Sequence, residues 1–216
     1  MVDKERINDF IMSISHSADE DLMKLKKYAI ESDVPIIKDE TKDFLDIIIR
    51  LKKPKYILEL GTAIAYSTLC MYKVGEDFIK EIVTIEKYAP RIKEAKENID
   101  KYFKKDIVKL IEGDIDDYLA ESKDDDRFDL IFLDAAKAQY VKWLPALKKI
   151  LKSGGVLISD NTFKDGEVLQ SKYLIDKRDR TIHKRMREFL YNILHDDDLL
   201  TKIFNIGDGV SISIKK

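Results

Sequence analysis

What most restricts the fold of this chain is a change of rhythm near Pro54. Beyond it, apolar residues gather in short unbroken runs rich in Ile, Val and Leu, at residues 56–60, 81–86, 107–111, 129–134 and 156–160. A strand with one face in water alternates apolar and polar residues; an unbroken run is how a strand buried on both faces reads. Helical patterns separate the runs, near residues 66–73, 88–103, 115–121 and 139–151. Strand and helix alternating at this spacing imply right-handed crossovers, and predict an α/β, Rossmann-like, doubly wound and mostly parallel sheet. The end departs from this pattern. Residues 200–206 and 210–214 are separated by Gly207-Asp208-Gly209, which predicts a hairpin and an antiparallel last strand.

Before Pro54 the period is helical. Ile7, Phe10, Ile11 and Ile14 share one face, Leu22, Leu25, Lys26 and Ala29 another, and Phe44, Leu45, Ile48 and Leu51 a third, with Val34-Pro35-Ile36-Ile37 as an extended link. The chain reads as one domain over residues 1–216, with N-terminal helices over 1–53 and the α/β core over 54–216. With 216 residues, 44% of them hydrophobic, it can bury a substantial core, which excludes a disordered chain. The single Cys70 cannot form an intrachain disulfide, and a reducing, cytoplasmic location is expected. No window approaches about 18 uncharged apolar residues, and charges interrupt the first residues, so neither a membrane span nor a signal peptide is expected.

Ligands of an open parallel sheet bind beyond the carboxyl ends of its strands. The first strand runs into Glu59-Leu60-Gly61-Thr62-Ala63-Ile64-Ala65-Tyr66-Ser67, where Gly61 permits a tight turn and the helix opening near Ser67 offers free N–H groups. Ala63 and Ala65 stand where a pyrophosphate-binding fingerprint has glycines, so a smaller, uncharged or cationic ligand fits better. Taken alone, Glu59-x-Gly61 also describes a plain strand–turn–helix. Glu86 at the second strand end is placed to take the two hydroxyls of a ribose, and Gly113-Asp114 after the third to meet a base edge. A nucleoside whose other end is not a pyrophosphate suggests S-adenosylmethionine, with Glu59 near its ammonium group.

Asp134 ends the fourth run, Lys137 follows it, and Asp160-Asn161 end the fifth. Two carboxylates and an amide oxygen at neighbouring strand ends form a set of hard donors that suits Mg²⁺. Helix-capping acids would explain Asp134 or Asp160 separately, but not Lys137 and Asn161 with them. The segments around Glu59-Leu60-Gly61-Thr62-Ala63, Phe132-Leu133-Asp134-Ala135-Ala136-Lys137 and Ile158-Ser159-Asp160-Asn161 resemble those of the metal-dependent, catechol-type O-methyltransferases. Arg6-Ile7-Asn8-Asp9, Val34-Pro35-Ile36, Ala138-Gln139-Tyr140 and Gly207-Asp208-Gly209 are most similar to the bacterial tRNA 5-hydroxyuridine O-methyltransferases within that group. The resemblance implies Mg²⁺ on Asp134, Asp160 and Asn161, and S-adenosylmethionine held by Ser67, Glu86, Asp114, Asp134 and backbone near Ile37 and Ile115. It also implies a homodimer. The family usually has Gly in place of Ala65, whose methyl is expected to crowd the cofactor loop.

Methyl transfer needs an oxyanion behind the sulfonium methyl, and Lys137, beside the metal ligand Asp134, is placed to remove the hydroxyl proton. A catechol presents the two adjacent oxygens such a metal chelates; so does 5-hydroxyuridine at a tRNA wobble position, converted to 5-methoxyuridine. Net charge bears on the choice. The total of −2 comes from 39 Lys and Arg against 41 Asp and Glu, yet residues 172–187 hold seven Lys and Arg against two Asp. A basic element with Lys172, Lys177, Arg178, Arg180, Lys184 and Arg185 would suit a tRNA anticodon stem-loop; a solvated helix face is the alternative. His183 is expected in that patch, His16 and His195 on the surface. Tyr140, Trp143 and Phe163 could stack a base or fill core, with core favoured for Trp143. The runs Asp124–Asp126 and Asp196–Asp198 are read as solvated charge.

Overall fold

The computed structural model describes residues 4–14, 19–122, 126–164 and 166–216; His16, Asp124 and Asp125 lie outside them. Three helices come first: α1 (Lys4–Ile14), α2 (Glu20–Glu31) and α3 (Asp39–Lys52). The alternating part follows as β1 (Tyr56–Leu60), α4 (Tyr66–Gly75), β2 (Glu81–Glu86), α5 (Ala89–Tyr102), β3 (Val108–Glu112), α6 (Ile115–Glu121), β4 (Phe128–Leu133), α7 (Tyr140–Ile150) and β5 (Leu151–Ser159). Last come α8 (Arg180–Leu194) and the hairpin β6 (Leu199–Phe204) and β7 (Val210–Lys215). Local chemistry sets the helix starts. The Asp19 carboxylate accepts from the N–H groups of Asp21 and Leu22 at 2.9 and 3.3 Å, capping α2, and Lys73 of α4 binds Asp19 and Asp21 at 3.2 and 2.9 Å.

The seven strands lie in the order β3-β2-β1-β4-β5-β7-β6. β1 to β5 are parallel, and β7 runs antiparallel to both neighbours. The hairpin thus inserts its second strand between β5 and its first. Both faces of the sheet are covered, which is why the central strands are apolar without a break. Ile57, Phe132 and Ile158 face a core with Leu22, Leu45, Ile49 and Leu69. Leu58, Leu60, Ile131 and Leu133 face the other, with Leu144, Leu147, Met186 and Phe189. Each such side chain contributes about 1.5–3 kcal/mol by leaving water. Strand order reverses between β1 and β4, and the crevice at that switch point is where an α/β sheet binds its ligand.

The structure departs from the expected boundaries where glycine hides a strand. β5 begins at Leu151, because Lys152-Ser153-Gly154-Gly155 continues the strand and Leu151 pairs with Phe128 across an irregular register. A 3₁₀ turn, Lys137–Gln139, precedes the helix expected at 139–151. The second half of the basic stretch, from Arg180, is the start of α8, whose Met186, Phe189, Leu190 and Ile193 pack in the core. Asp197 and Asp198 are exposed as expected, while Asp196 is partly buried against Lys148 at 2.6 Å; Asp198 also reaches Lys148, at 2.7 Å. The predicted apolar face of α1 is exposed, from 45% at Ile7 and Ile11 to 67% at Ile14. Among the described residues no helix is long and apolar enough to cross a membrane.

Candidate functional site

A cavity of about 390 Å³ opens at the carboxyl ends of β1, β2 and β4, within the range of about 300–1,000 Å³ usual for small-ligand sites. Its floor is the loop after β1. Gly61 has φ +103° and passes so close to β4 that an added Cβ would lie 2.3 Å from the Asp134 carbonyl oxygen, so no side chain is tolerated there. Gly61 and Thr62 both donate their N–H to the Ile85 carbonyl at 3.2 Å, tying the loop to β2. Ala63 and Ala65 are left-handed, with φ 46° and 65°. Ala65 is buried and does not line the cavity, whereas Ala63 does.

Glu86 ends β2 at the cavity. One carboxylate oxygen accepts from the Ala63 N–H and the other from the Lys87 and Tyr88 N–H groups, all at 2.9 Å. That fixes the side chain, and the oxygen bound to the Ala63 N–H keeps a further lone pair for a hydroxyl donor. Asp114 caps α6 by accepting from the Asp116 N–H at 2.9 Å and pairs with Lys87 at 3.1 Å; these contacts, the backbone one first, hold its carboxyl below the usual range. Ile37, Gly61, Ser67, Glu86, Asp114, Ile115 and Asp134 all line the one cavity.

Glu59 does not. It is fully buried, and the hydroxyls of Ser67, Thr68 and Thr84 donate to its two oxygens at 2.5, 2.5 and 2.6 Å. Burial pushes its carboxyl up to about 7, with the three hydroxyl contacts opposing. It therefore does not meet a ligand ammonium; it braces β1 against β2 and the first turn of α4.

Asp134 follows β4 and Asp160 follows β5, and the parallel register of Leu133 with Ser159 sets them side by side. Lys137 donates to Asp134 Oδ1 at 3.0 Å. Asp134, Lys137 and Asn161 line the cavity, while Asp160 is 2% exposed. Burial, and then the Asp134 charge, push Asp160 up to about 6. A divalent cation would offset both effects, and two carboxylates with an amide oxygen are the hard donors Mg²⁺ prefers. Among the described residues no three His, Cys, Asp or Glu side chains converge here, so a cation at this site would need a donor of another kind, and the Asn161 amide is the one that lines the cavity beside Asp134.

The basic residues divide. Lys172, Arg180, Lys184 and Arg185 line an open groove of about 770 Å³ with Arg187, which sequence reading did not assign, whereas Lys177 and Arg178 are exposed outside it. His183 lines the same groove as expected, but from within the fold: it is 4% exposed and its Nε2 lies 3.1 Å from the Gln170 carbonyl oxygen, a contact that holds α8 to the preceding loop. Arg185 donates to the Ala138 carbonyl at 2.8 Å, so the groove abuts the turn that carries Lys137. Tyr140 is core, its hydroxyl donating to the Leu133 carbonyl at 3.1 Å. Trp143 is buried as expected, but also lines the cavity and donates to Asp116 Oδ1 at 2.5 Å. Phe163 packs against Gly209, where a Cβ would come within 2.5 Å of its ring.

The family model described as O-methyltransferase matches residues 12–216. The caffeoyl-CoA O-methyltransferase of Populus kitakamiensis is 30% identical, over 87% of this chain and 80% of that protein. The catechol O-methyltransferase of Niastella koreensis is 27% identical, over 76% of each. The solved structure of the Podospora anserina methyltransferase PaMTH1 bound to S-adenosylhomocysteine superposes with a TM-score of 0.86 at 25% identity, over 98% of this chain and 94% of that one.

Proposed function

Because the chain belongs to the O-methyltransferase family, we propose that it moves a methyl group from S-adenosylmethionine to one of two neighbouring oxygens of a catechol-type or caffeoyl-CoA-like acceptor, with a divalent cation on Asp134, Asp160 and Asn161. The observation that carries this reading is the convergence of Glu86, Asp134, Lys137 and Asn161 on one cavity floored by Gly61. When bound, the cation supplies Lewis acidity to the two acceptor oxygens, and S-adenosylmethionine supplies the methyl. The chain's own residues do the rest. Glu86 and Asp114 orient the nucleoside, and Trp143, fixed by Asp116, closes the wall beside it. With a divalent cation bound beside it, Lys137 would act as the neutral amine, its own extra proton released to solvent, and its Nζ would take the acceptor's hydroxyl proton while Asp134, 3.0 Å away, keeps it beside the reacting oxygen. The remainder is positioning, worth up to about 7–11 kcal/mol for well-oriented reactants.

A second reading, 5-hydroxyuridine at the tRNA wobble position, is favoured by the basic groove abutting the Lys137 turn. Lys172, Arg180, Lys184, Arg185 and Arg187 line it, a concentration of cations that suits a polyanion. Incubation with S-adenosylmethionine and Mg²⁺ against caffeate, caffeoyl-CoA and tRNA bearing 5-hydroxyuridine, followed by mass spectrometry, separates the readings. Methylation of a free catechol or CoA ester supports the first, and methylation of tRNA alone the second. No methylation of any vicinal-oxygen acceptor overturns both. The exposed face of α1 supports a homodimer, to be read from the mass in solution.

A further inference from the structure

Asp160, at the end of β5, is met by a side chain from the N-terminal part of the sequence. Thr41, in the first turn of α3, is 1% exposed and donates its hydroxyl to Asp160 Oδ1 at 3.3 Å, and Asp160 is itself 2% exposed. This is a polar contact between buried side chains 119 positions apart in the chain. A buried hydroxyl needs a partner, but Val of the same shape would fill the space without one, so packing alone does not call for Thr here. The hairpin turn leaves room for the contact: a Cβ on Gly207 would lie 2.8 Å from Thr41 Oγ1. Lys38, one turn earlier in the chain, binds Asp208 of the same turn at 2.5 Å. Phe163 and Thr162 of the loop beyond Asp160 donate their N–H groups to the Asp208 and Gly209 carbonyls, each at 2.9 Å. Three chain segments therefore meet at Asp160, and one hydroxyl touches its carboxylate.

We infer that Thr41 is a positioning residue for the divalent cation: it fixes the orientation of the Asp160 carboxylate and so sets metal affinity, without touching acceptor or cofactor. The inference rests on the metal reading proposed above. Residues that hold a metal ligand from behind typically change affinity about 10–100-fold when lost. The test is Mn²⁺ binding by electron paramagnetic resonance, without acceptor or turnover, on the full chain and on Thr41→Val, Thr41→Ser and Asp160→Ala. Thr41→Val should bind Mn²⁺ at least about tenfold more weakly, Thr41→Ser should restore most of the affinity, and S-adenosylhomocysteine affinity should be the same in all. Thr41→Val binding Mn²⁺ like the unaltered chain overturns the role of Thr41 alone. If the unaltered chain binds Mn²⁺ no better than Asp160→Ala, the metal reading falls and this inference falls with it. Equal loss in Thr41→Val and Thr41→Ser, with lowered S-adenosylhomocysteine affinity, would mean a packing role and overturn the positioning one.

Discussion

Replacing Glu59 with Gln should change how stability depends on pH more than it changes stability itself. Glu59 is fully buried, and burial pushes its carboxyl from 4.5 up to about 7, the hydroxyls of Ser67, Thr68 and Thr84 offsetting part of the effect. A group whose folded-state pKa lies above its unfolded one contributes all its stability below the unfolded value and loses it as pH rises through the folded one. At about 1.36 kcal/mol for each pH unit between the two values, the contribution is about 3 kcal/mol, lost from near pH 4.5 to just above 7. The amide cannot ionise, yet it fits the same cage. Its oxygen accepts from Ser67 and its two N–H bonds point at Thr68 and Thr84, while Thr84 turns its own proton towards Thr62, 2.6 Å away. Relative to the unaltered chain, Glu59→Gln should therefore gain roughly 2–3 kcal/mol between pH 5 and pH 8. For a chain of this size that is about 5–10 °C of melting temperature. Urea and thermal unfolding of both proteins at pH 5, 6, 7 and 8, in EDTA, measure it. Stability curves that stay parallel across that range would refute the reasoning, because they would mean Glu59 titrates alike in the folded and unfolded chain.

Lys137→Met should lower kcat by about 10²–10⁴, the usual contribution of a general base, and leave S-adenosylhomocysteine affinity unchanged in a calorimetric titration. Asp160→Ala, or EDTA added to the unaltered chain, should abolish turnover while cofactor binding persists; full activity in EDTA would remove the cation from the mechanism. Replacing Lys172, Arg180, Lys184 and Arg185 with Ala should weaken a polyanionic acceptor and flatten the salt dependence of its binding by about 0.9 for each phosphate no longer neutralised, with a free catechol unaffected. Gly61→Ala should destabilise the fold by about 2–4 kcal/mol, the range for steric strain added to a forbidden backbone conformation, and cost cofactor binding, since its Cβ meets the Asp134 carbonyl.

The parts of this fold that follow from periodicity were legible in the chain itself. Ile57 and Leu58 face opposite buried layers, and that leaves an unbroken apolar run in the sequence. Gly61, Glu86 and Asp114 were legible because the switch-point rule fixes where a strand end must carry function. What was not legible came from side chains satisfying one another. Glu59 has the position of a ligand-binding acid, but Ser67, Thr68 and Thr84 surround it, and no local pattern places a hydroxyl 25 positions away on the next strand. His183 sits in a basic run, yet the helical period turns it inward with Met186 while Lys184 and Arg185 turn out. Thr41 gave no signal at all, because its partner lies in a different part of the chain. The start of β5 was hidden by Gly154 and Gly155, which break the apolar run without breaking the strand.

The placement of β7 has a temporal side. A ribosome extends a nascent chain at about 5–20 residues per second, and N-terminal elements fold first. The glycine loop and Glu86 belong to β1 and β2 and emerge early, whereas β7 is the last strand of the sheet to be made and is an interior one. The carbonyls that hold the Thr162 and Phe163 N–H groups come from Asp208 and Gly209, immediately before it. A growing chain therefore owns the Gly61 loop and Glu86 before it owns a fixed Asp160-Asn161 loop. On the reading proposed above, a chain stalled within the hairpin would present the Gly61 loop and Glu86 without a fixed Asp160, and methyl transfer would await closure of the hairpin.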